Sequence, residues 1–196
     1  MTCKEQVWRA ILVGRRVAGR VEWRQKELAD ALGVSVSTVH NGLRVPRRAG
    51  AIRVHSRGLV LVDWRKLLLI WAVFRDLGKD RLWSARVRLP ADRVEGEMIP
   101  EARFTGPSGF KFLYGFAPAD YDQVVVYVGR EHLDGLRERF ARYIDPRGGQ
   151  AVLAALAPDS LLPAEVPPEQ LYVDLWQMHP WWTGEFIRAL EERLGE

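Results

Sequence analysis

The sequence has little cysteine and no long apolar run, and these absences exclude several classes of protein. It contains a single cysteine, Cys3, which can form no intramolecular disulfide and cannot supply a cysteine-based zinc site. Its longest uncharged apolar run, Leu67–Phe74, has eight residues, whereas a membrane-spanning helix needs about 20. The first residues lack a signal-peptide pattern because Lys4, Glu5 and Arg9 interrupt any apolar stretch. These absences predict a soluble, cytoplasmic protein with no membrane partner.

Asparagine and lysine are also scarce. Asn41 is the only asparagine, and there are 24 arginines but only 5 lysines. Such bias is typical of GC-rich genomes and of hot habitats, in which thermolabile amides are avoided, and it favours a prokaryotic source. The remaining composition is that of a globular protein: 196 residues, 47% hydrophobic and 28% charged. This is enough for one large domain or two small ones.

Positive charge is concentrated toward the amino terminus. Residues 1–62 carry 12 basic and 4 acidic side chains, a net charge of +8, whereas residues 63–196 carry 17 basic and 21 acidic ones, a net charge of −4. Between Asp30 and Asp76 the only acidic residue is Asp63, against eight basic residues. The asymmetry predicts a module that faces a polyanion, joined to a body with another task.

The segment Gln25–Gly42 has the residue spacing of a helix-turn-helix. Two closely crossing helices need a small residue in the middle of the first, here Ala29, and a flexible turn position four residues later, here Gly33. An apolar residue, Val34, follows the turn, and Val39 anchors the second helix. The segment therefore meets all four requirements of the motif.

The flanking segments predict a winged helix-turn-helix domain over residues 1–62. Helical periodicity at 3–18 precedes a short strand at 21–23, and the two motif helices occupy 25–32 and the residues from Val36 onward. A hairpin follows, with strands Ile52–His55 and Leu59–Val62 joined by a turn in which Gly58 tolerates positive φ. Pro46 is expected to kink or end the second motif helix early.

The remaining residues predict a connecting helix and a second domain. The connecting helix, 63–78, is capped by Asp63 and ends at Gly78, and its apolar residues cover most of its circumference. We therefore expect it to be buried on more than one side, either inside the chain or at a subunit interface. Residues 79–196 alternate short strands and helices. The predicted fold class is α+β: an N-terminal winged helix-turn-helix followed by a small mixed α/β C-terminal domain. In this second domain, strands are expected near 83–89, 124–128 and 150–156, and helices near 107–114, 132–144, 168–178 and 183–194.

The second helix of such a motif enters the major groove of double-stranded DNA with its N-terminal part facing the base edges. There Asn41 can form a bidentate pair with adenine, and Arg44 with guanine. Arginines beyond Pro46 suit phosphates, and Arg57 lies at the tip of the wing. We therefore predict a sequence-specific DNA-binding transcriptional regulator. The predicted DNA-binding residues are Ser35, Ser37, Thr38, His40, Asn41, Arg44, Arg47, Arg48, Arg53 and Arg57.

The sequence shows no strong catalytic or metal-binding motif. The four histidines lie far apart, and there is neither a nucleophile elbow nor a phosphate-binding Gly-Lys-Ser/Thr loop. No enzyme activity, metal or cofactor is predicted. One weaker hypothesis remains: Asp120 and Asp122, together with Ser108 between two glycines, suggest a magnesium-dependent nucleotidyltransferase.

A second alternative concerns the tryptophan-rich tail. Trp176, Trp181 and Trp182 lie within seven residues, and tryptophan is enriched at binding hot spots. They predict either a surface for a protein partner or, more simply, part of the second domain's own core.

Five short pieces of the chain carry a family resemblance: Gln25–Val34, Leu67–Trp71, Phe104–Phe110, Val124–Val128 and Gln170–Leu175. In this order and spacing, they resemble the AbiEi-type antitoxins, the transcriptional-regulator halves of type IV (abortive-infection) toxin–antitoxin systems. The resemblance implies a winged helix that represses its own operon and a C-terminal domain that antagonises a partner toxin with nucleotidyltransferase character. A homodimer is a further expectation, because helix-turn-helix proteins often bind paired half-sites.

Overall fold

The computed structural model describes residues 1–56 and 58–195 and shows an α+β fold with two β-sheets. The chain divides into two compact units, a first unit of Met1–Arg75 and a second unit of Asp76–Glu196. The coarse fold class predicted from the sequence is confirmed. The division falls after the apolar helix, so this helix lies within the first unit.

Helices and strands of the first unit follow the predicted order. The described residues of this unit form α1 (Cys3–Ala18), β1 (Glu22–Trp23), α2 (Gln25–Leu32), α3 (Val36–Arg48), β2 (Ile52–His55), β3 (Gly58–Leu61) and α4 (Trp64–Phe74).

Local capping explains why these helices begin and end where they do. At the start of α1, the Thr2 hydroxyl accepts the Glu5 N–H, and the Glu5 carboxylate accepts the Thr2 N–H at 2.8 Å, which is a capping box. Gly33 ends α2 in the left-handed conformation, with φ of +63°. Ser35 then caps α3 through the Thr38 N–H at 3.1 Å.

The first sheet is antiparallel, with strand order β1-β3-β2. The predicted hairpin of β2 and β3 is confirmed, but the reason given for Gly58 is wrong: its φ is not positive. Instead, a Cβ at position 58 would lie 2.3 Å from the carbonyl oxygen of Trp23, a distance that no side chain tolerates. Glycine is therefore required because β1 approaches β3 closely at this point.

Helix α4 is shorter than predicted, because it ends at Phe74 rather than continuing to Leu77. Arg75 is extended, and Asp76 caps a separate helical turn by accepting the Lys79 N–H at 3.3 Å. The alternative that α4 is buried on more than one side inside the chain is wrong, whereas the alternative of a subunit interface stays a prediction. Leu67, Leu68, Trp71 and Ala72 are buried, whereas Leu69, Val73 and Phe74 are exposed.

The second unit contains one four-stranded sheet surrounded by short helices. Two single turns of 3-10 helix, at Arg130–His132 and Ala141–Tyr143, flank the helix predicted over 132–144. The longer elements in the described residues are α5 (Leu77–Asp80), β4 (Arg81–Val87), α6 (Ala91–Gly96), β5 (Arg103–Thr105), α7 (Gly106–Tyr114), β6 (Gln123–Tyr127), α8 (Leu133–Phe140), β7 (Ala151–Leu156), α9 (Pro168–Trp176) and α10 (Thr183–Gly195).

The sheet of the second unit has strand order β4-β7-β6-β5. Strands β6 and β7 are parallel, and the two outer pairs are antiparallel. Alternate residues of the central strands, including Val124, Val126 and Leu153, point to one face and pack with Leu136 and Phe140 of α8. The predicted buried strand at 124–128 is therefore confirmed in its main part.

A buried carboxylate, Asp174 of α9, lies at the other face of this sheet. Its Oδ2 accepts hydrogen bonds from the Thr105 hydroxyl at 2.8 Å and from the Tyr127 hydroxyl at 2.6 Å. Gln170 in turn donates to the Tyr127 oxygen at 2.9 Å. All four residues are at most 2% exposed. This network joins α9 to β5 and β6, and it supplies the hydrogen bonds without which a buried polar group is costly.

Candidate nucleic-acid interface

Helix α3 has one buried and one exposed face. Val39, Leu43 and Pro46 recur at intervals of four and three residues and are buried in the first unit. The residues on the opposite side are exposed, and they share one face because they lie at i, i+4, i+7 and i+11: Ser37, Asn41, Arg44 and Arg48. Eight of the ten predicted DNA-binding residues belong to α3 or its N-cap, and most of them lie on this exposed side.

The connection between α2 and α3 is tight, and its hydrogen bonds explain the predicted spacing. Gly33 is left-handed, and the Val34 N–H donates to the Ala29 carbonyl at 3.0 Å. Ala29 is buried, and Val39 is fully buried. The four positions singled out in the sequence therefore have the backbone conformations and burial that the spacing demands.

The hydroxyl groups at the start of α3 are already engaged within the protein. The Ser35 Oγ accepts the Thr38 N–H, and the Ser35 and Thr38 hydroxyl oxygens lie 2.9 Å apart. Ser37, His40 and Asn41 are exposed. A ligand would therefore find freer polar groups one turn further along the helix than at its cap.

Four of the arginines that were predicted to bind DNA are exposed on α3 and β2. Arg44, Arg47, Arg48 and Arg53 are exposed, and within residues 1–56 and 58–195 none of them takes part in an ion pair or a side-chain hydrogen bond. Arg53 lies on β2 opposite Val60 of β3. Arg57, also predicted to contact DNA, lies outside the described residues. An exposed guanidinium without a protein carboxylate is available to an external anion.

Other arginines of the first unit are engaged within the protein. The Arg20 guanidinium lies 2.6 Å from the Glu27 carboxylate, which keeps the pKa of Glu27 below its ordinary value. Arg75 lies 3.7 Å from Glu5, and both side chains are buried. The exposed arginines of α3 and the hairpin therefore differ from these two, although they are not the unit's only cations without a partner in the described residues.

The prediction that Pro46 kinks the helix or ends it early is wrong about the end, because α3 continues to Arg48. Proline has no N–H, so it leaves the carbonyl of the residue four positions earlier, Gly42, without its helical donor. The indole N–H of Trp8 in α1 donates to this carbonyl at 2.9 Å. Sequence reasoning missed the role of Trp8, although a proline at a helical position is itself a signal that some other donor is needed.

The predicted tryptophan surface of the second unit is only partly present. Trp182 is 1% exposed and packs edge-to-face with Tyr121 and Phe186, which confirms for this residue the alternative of a core position. Trp181 is 81% exposed, and Trp176 is partly exposed and stacks on Tyr172. Two of the three tryptophans are therefore available to a partner.

The two aspartates of the nucleotidyltransferase hypothesis are exposed at the loop before β6. Asp122 accepts the Trp182 indole N–H at 3.1 Å, and this bond holds the loop against the aromatic cluster. Ser108 is buried in α7. Among the residues that the structure describes, no group of three or more histidine, cysteine or acidic side chains lies close enough to hold a metal ion.

None of the helices in the described part of the chain combines the length and the apolar character needed to cross a membrane.

We also compared the chain with known proteins. It matches no family model, no curated protein and no solved structure.

Proposed function

We propose that this protein is a sequence-specific regulator of transcription and that its first unit is a winged helix-turn-helix that binds double-stranded DNA. One observation carries the proposal: the exposed face of α3 presents Asn41, Arg44 and Arg48, which have no partner among residues 1–56 and 58–195. No acidic residue occurs between Asp30 and Asp63 to compete for these donors. A surface of this kind attracts phosphates and can hydrogen-bond to base edges.

The dimensions of α3 are compatible with the major groove. Its 13 residues span about 20 Å at a rise of about 1.5 Å per residue. The groove is about 12 Å wide and admits a helix with its side chains. In this orientation Asn41 and Arg44 reach the base edges, and Ser37 and His40 lie beside them. The first turn of α3, at Ser35 and Thr38, then lies close to the sugar-phosphate backbone of the DNA.

The remaining arginines supply affinity rather than sequence choice. Arg47 and Arg48 lie in the last turn of α3, and Arg53 projects from the hairpin, where a phosphate strand can pass between helix and wing. We include Arg57, which lies outside the described residues, on the sequence argument alone. Each phosphate contact releases condensed counterions, so binding should weaken steeply with salt.

Fluorescence anisotropy tests the proposal. It measures the affinity of the protein for the DNA upstream of its own gene at two salt concentrations. Arg44→Ala should relax the preference at one base pair and cost about 1–3 kcal/mol there. Arg48→Ala should weaken binding to all sequences alike and lower the salt slope by about 1. Arg188→Ala is the matched control, since this exposed arginine of α10 is paired with Glu185. Salt-insensitive binding, or equal affinity in all variants, would overturn the proposal.

The resemblance to AbiEi-type antitoxins suggests a more specific form of this function. The regulator would then repress its own operon, as a homodimer on paired half-sites, and its second unit would neutralise a partner toxin. The exposed Trp181 favours a protein partner for the second unit. Co-expression with the product of the neighbouring gene tests this: wild type should co-purify with it, and Trp181→Ala should not. Retention of the complex by Trp181→Ala would exclude this tryptophan as its anchor.

A further inference from the structure

The interior of α3 contains an unusual pair of residues, Gly42 and Pro46. In a regular helix, the N–H of residue 46 would donate to the carbonyl of residue 42. Proline has no N–H, and its presence inside a helix costs about 3 kcal/mol relative to alanine. A buried carbonyl without any donor would add a further penalty. The chain nevertheless keeps α3 helical through Pro46 to Arg48.

Trp8 supplies the missing donor from a different helix. Its side chain is 1% exposed, and its indole N–H lies 2.9 Å from the Gly42 carbonyl oxygen, 34 residues away in sequence. The ring is held edge-to-face against Phe74, with centroids 5.7 Å apart. The two helices lie close together here, since a Cβ on Gly42 would make an ordinary contact of 3.6 Å with the Lys4 Cα. The indole therefore connects α1 to the middle of α3 at a defined point.

We propose that Trp8 is a positioning residue for DNA recognition: its bond to Gly42 fixes the position of the helix segment that carries Asn41 and Arg44. This inference rests on the proposed function. Gly42 directly follows Asn41 and precedes Arg44 by two residues, so a shift of its backbone moves both base-reading side chains. Trp8 itself is buried and contacts no DNA. Its loss reduces discrimination between sequences more than it reduces general affinity for DNA.

A double-mutant cycle with Trp8→Phe and Pro46→Ala tests the proposal. Trp8→Phe removes the indole N–H and keeps an aromatic ring. Pro46→Ala restores a backbone N–H at position 46, which can donate to Gly42 in place of the indole. We expect Trp8→Phe to lower the ratio of specific to non-specific DNA affinity by about tenfold. In the Pro46→Ala background the same change should lower this ratio less than twofold.

Trp71→Phe is the matched control for the loss of an indole. Trp71 is fully buried in the same unit, but its indole N–H has no hydrogen-bond partner in the described residues. Trp71→Phe should therefore leave the specificity ratio within about twofold of wild type. Equal losses for Trp8→Phe in both backgrounds, or equal losses for Trp8→Phe and Trp71→Phe, would overturn the proposal.

A second measurement separates this inference from the proposed function. Hydrogen exchange of the Trp8 indole N–H, followed by NMR without DNA, should be slow in the wild type and faster in Pro46→Ala, where a competing donor is present. One outcome is that the wild-type protein shows no sequence preference on any DNA, while the Trp8 indole N–H still exchanges more slowly in the wild type than in Pro46→Ala. The proposed function is then wrong, although the hydrogen bond from Trp8 to Gly42 exists. If the exchange rates are the same and DNA binding is specific, the proposed function stands and the role of Trp8 is wrong.

Discussion

The two units differ in where their most notable charged side chains lie. In the first unit, Arg44, Arg48 and Arg53 are exposed and have no partner in the part of the chain that the structure describes. In the second unit, Asp174 and Glu95 are buried and satisfied by neighbouring side chains. These exposed arginines are therefore available to an external anion, whereas the buried carboxylates of the second unit join its helices and strands.

The second unit's tyrosines illustrate this inward use. The Tyr121 hydroxyl donates to Glu95, which also receives Lys111 at 2.7 Å. The Tyr172 hydroxyl donates to Glu191 at 2.8 Å. Burial raises the pKa of both phenols well above their ordinary value, and the neighbouring carboxylates raise it further. Both hydroxyls therefore stay protonated and remain donors throughout the physiological pH range.

Removal of the buried carboxylate should have the largest effect on stability. Asp174→Ala leaves the hydroxyls of Thr105 and Tyr127 buried without their acceptor, so the free energy of unfolding should fall by about 3 kcal/mol or more. Urea denaturation followed by circular dichroism measures this loss. Asp134→Ala is the control, since this exposed carboxylate of α8 forms only a 3.7 Å surface pair with Arg137. A similar small change in both variants would contradict the structural role given to Asp174.

Gly58→Ala should have an intermediate effect, in the first unit. The new methyl group would meet the Trp23 carbonyl oxygen at 2.3 Å, so β1 must move away from β3. We expect a loss of about 1–3 kcal/mol in thermal or urea unfolding. Gly135→Ala gives the opposite control, because its Cβ enters open space inside α8. That variant should gain about 0.5–1 kcal/mol, and a loss in Gly135→Ala as large as in Gly58→Ala would contradict the steric argument.

Substitution of surface arginines should have the smallest effect on stability. One arginine from each unit allows a direct comparison of the two units. Arg188→Gln breaks an exposed 3.0 Å pair with Glu185, and Arg48→Gln removes a cation without a partner. Each should change the free energy of unfolding by less than about 0.5 kcal/mol. Only Arg48→Gln should weaken DNA binding. If both variants weaken it equally, the contrast between the units is wrong.

Local patterns in the sequence were sufficient to predict most of the helices and strands of the first unit. Helical periodicity and capping residues predicted α1 and α2 with their observed bounds, and the start of α3 at Val36. The exposure of the α3 arginines also followed from helical spacing. These features depend on residues within one or two turns of each other, and so a single sequence contains the information needed to predict them.

Features that depend on distant residues could not be predicted in the same way. Pro46 looked like the end of a helix because the donor that replaces its missing N–H is Trp8, which lies 34 residues before the acceptor, Gly42. The acceptor Asp174 and its donor Thr105 are 69 residues apart, with no repeating pattern to connect them. Strand β5 has only three residues, too few for periodicity. Trp182 and Trp181 are adjacent in sequence, yet one is buried and the other exposed.

The contact between the Trp8 indole and the Gly42 carbonyl also couples the formation of α3 to the docking of α1. A short helix is marginal in water on its own, and a proline in its interior makes it more so. The C-terminal half of α3 therefore gains its stability only when α1 docks against it, so a peptide of residues 35–50 alone should lose helicity beyond Gly42. In the intact chain, the segment that carries Arg44 becomes rigid at the same step in which the core of the first unit forms.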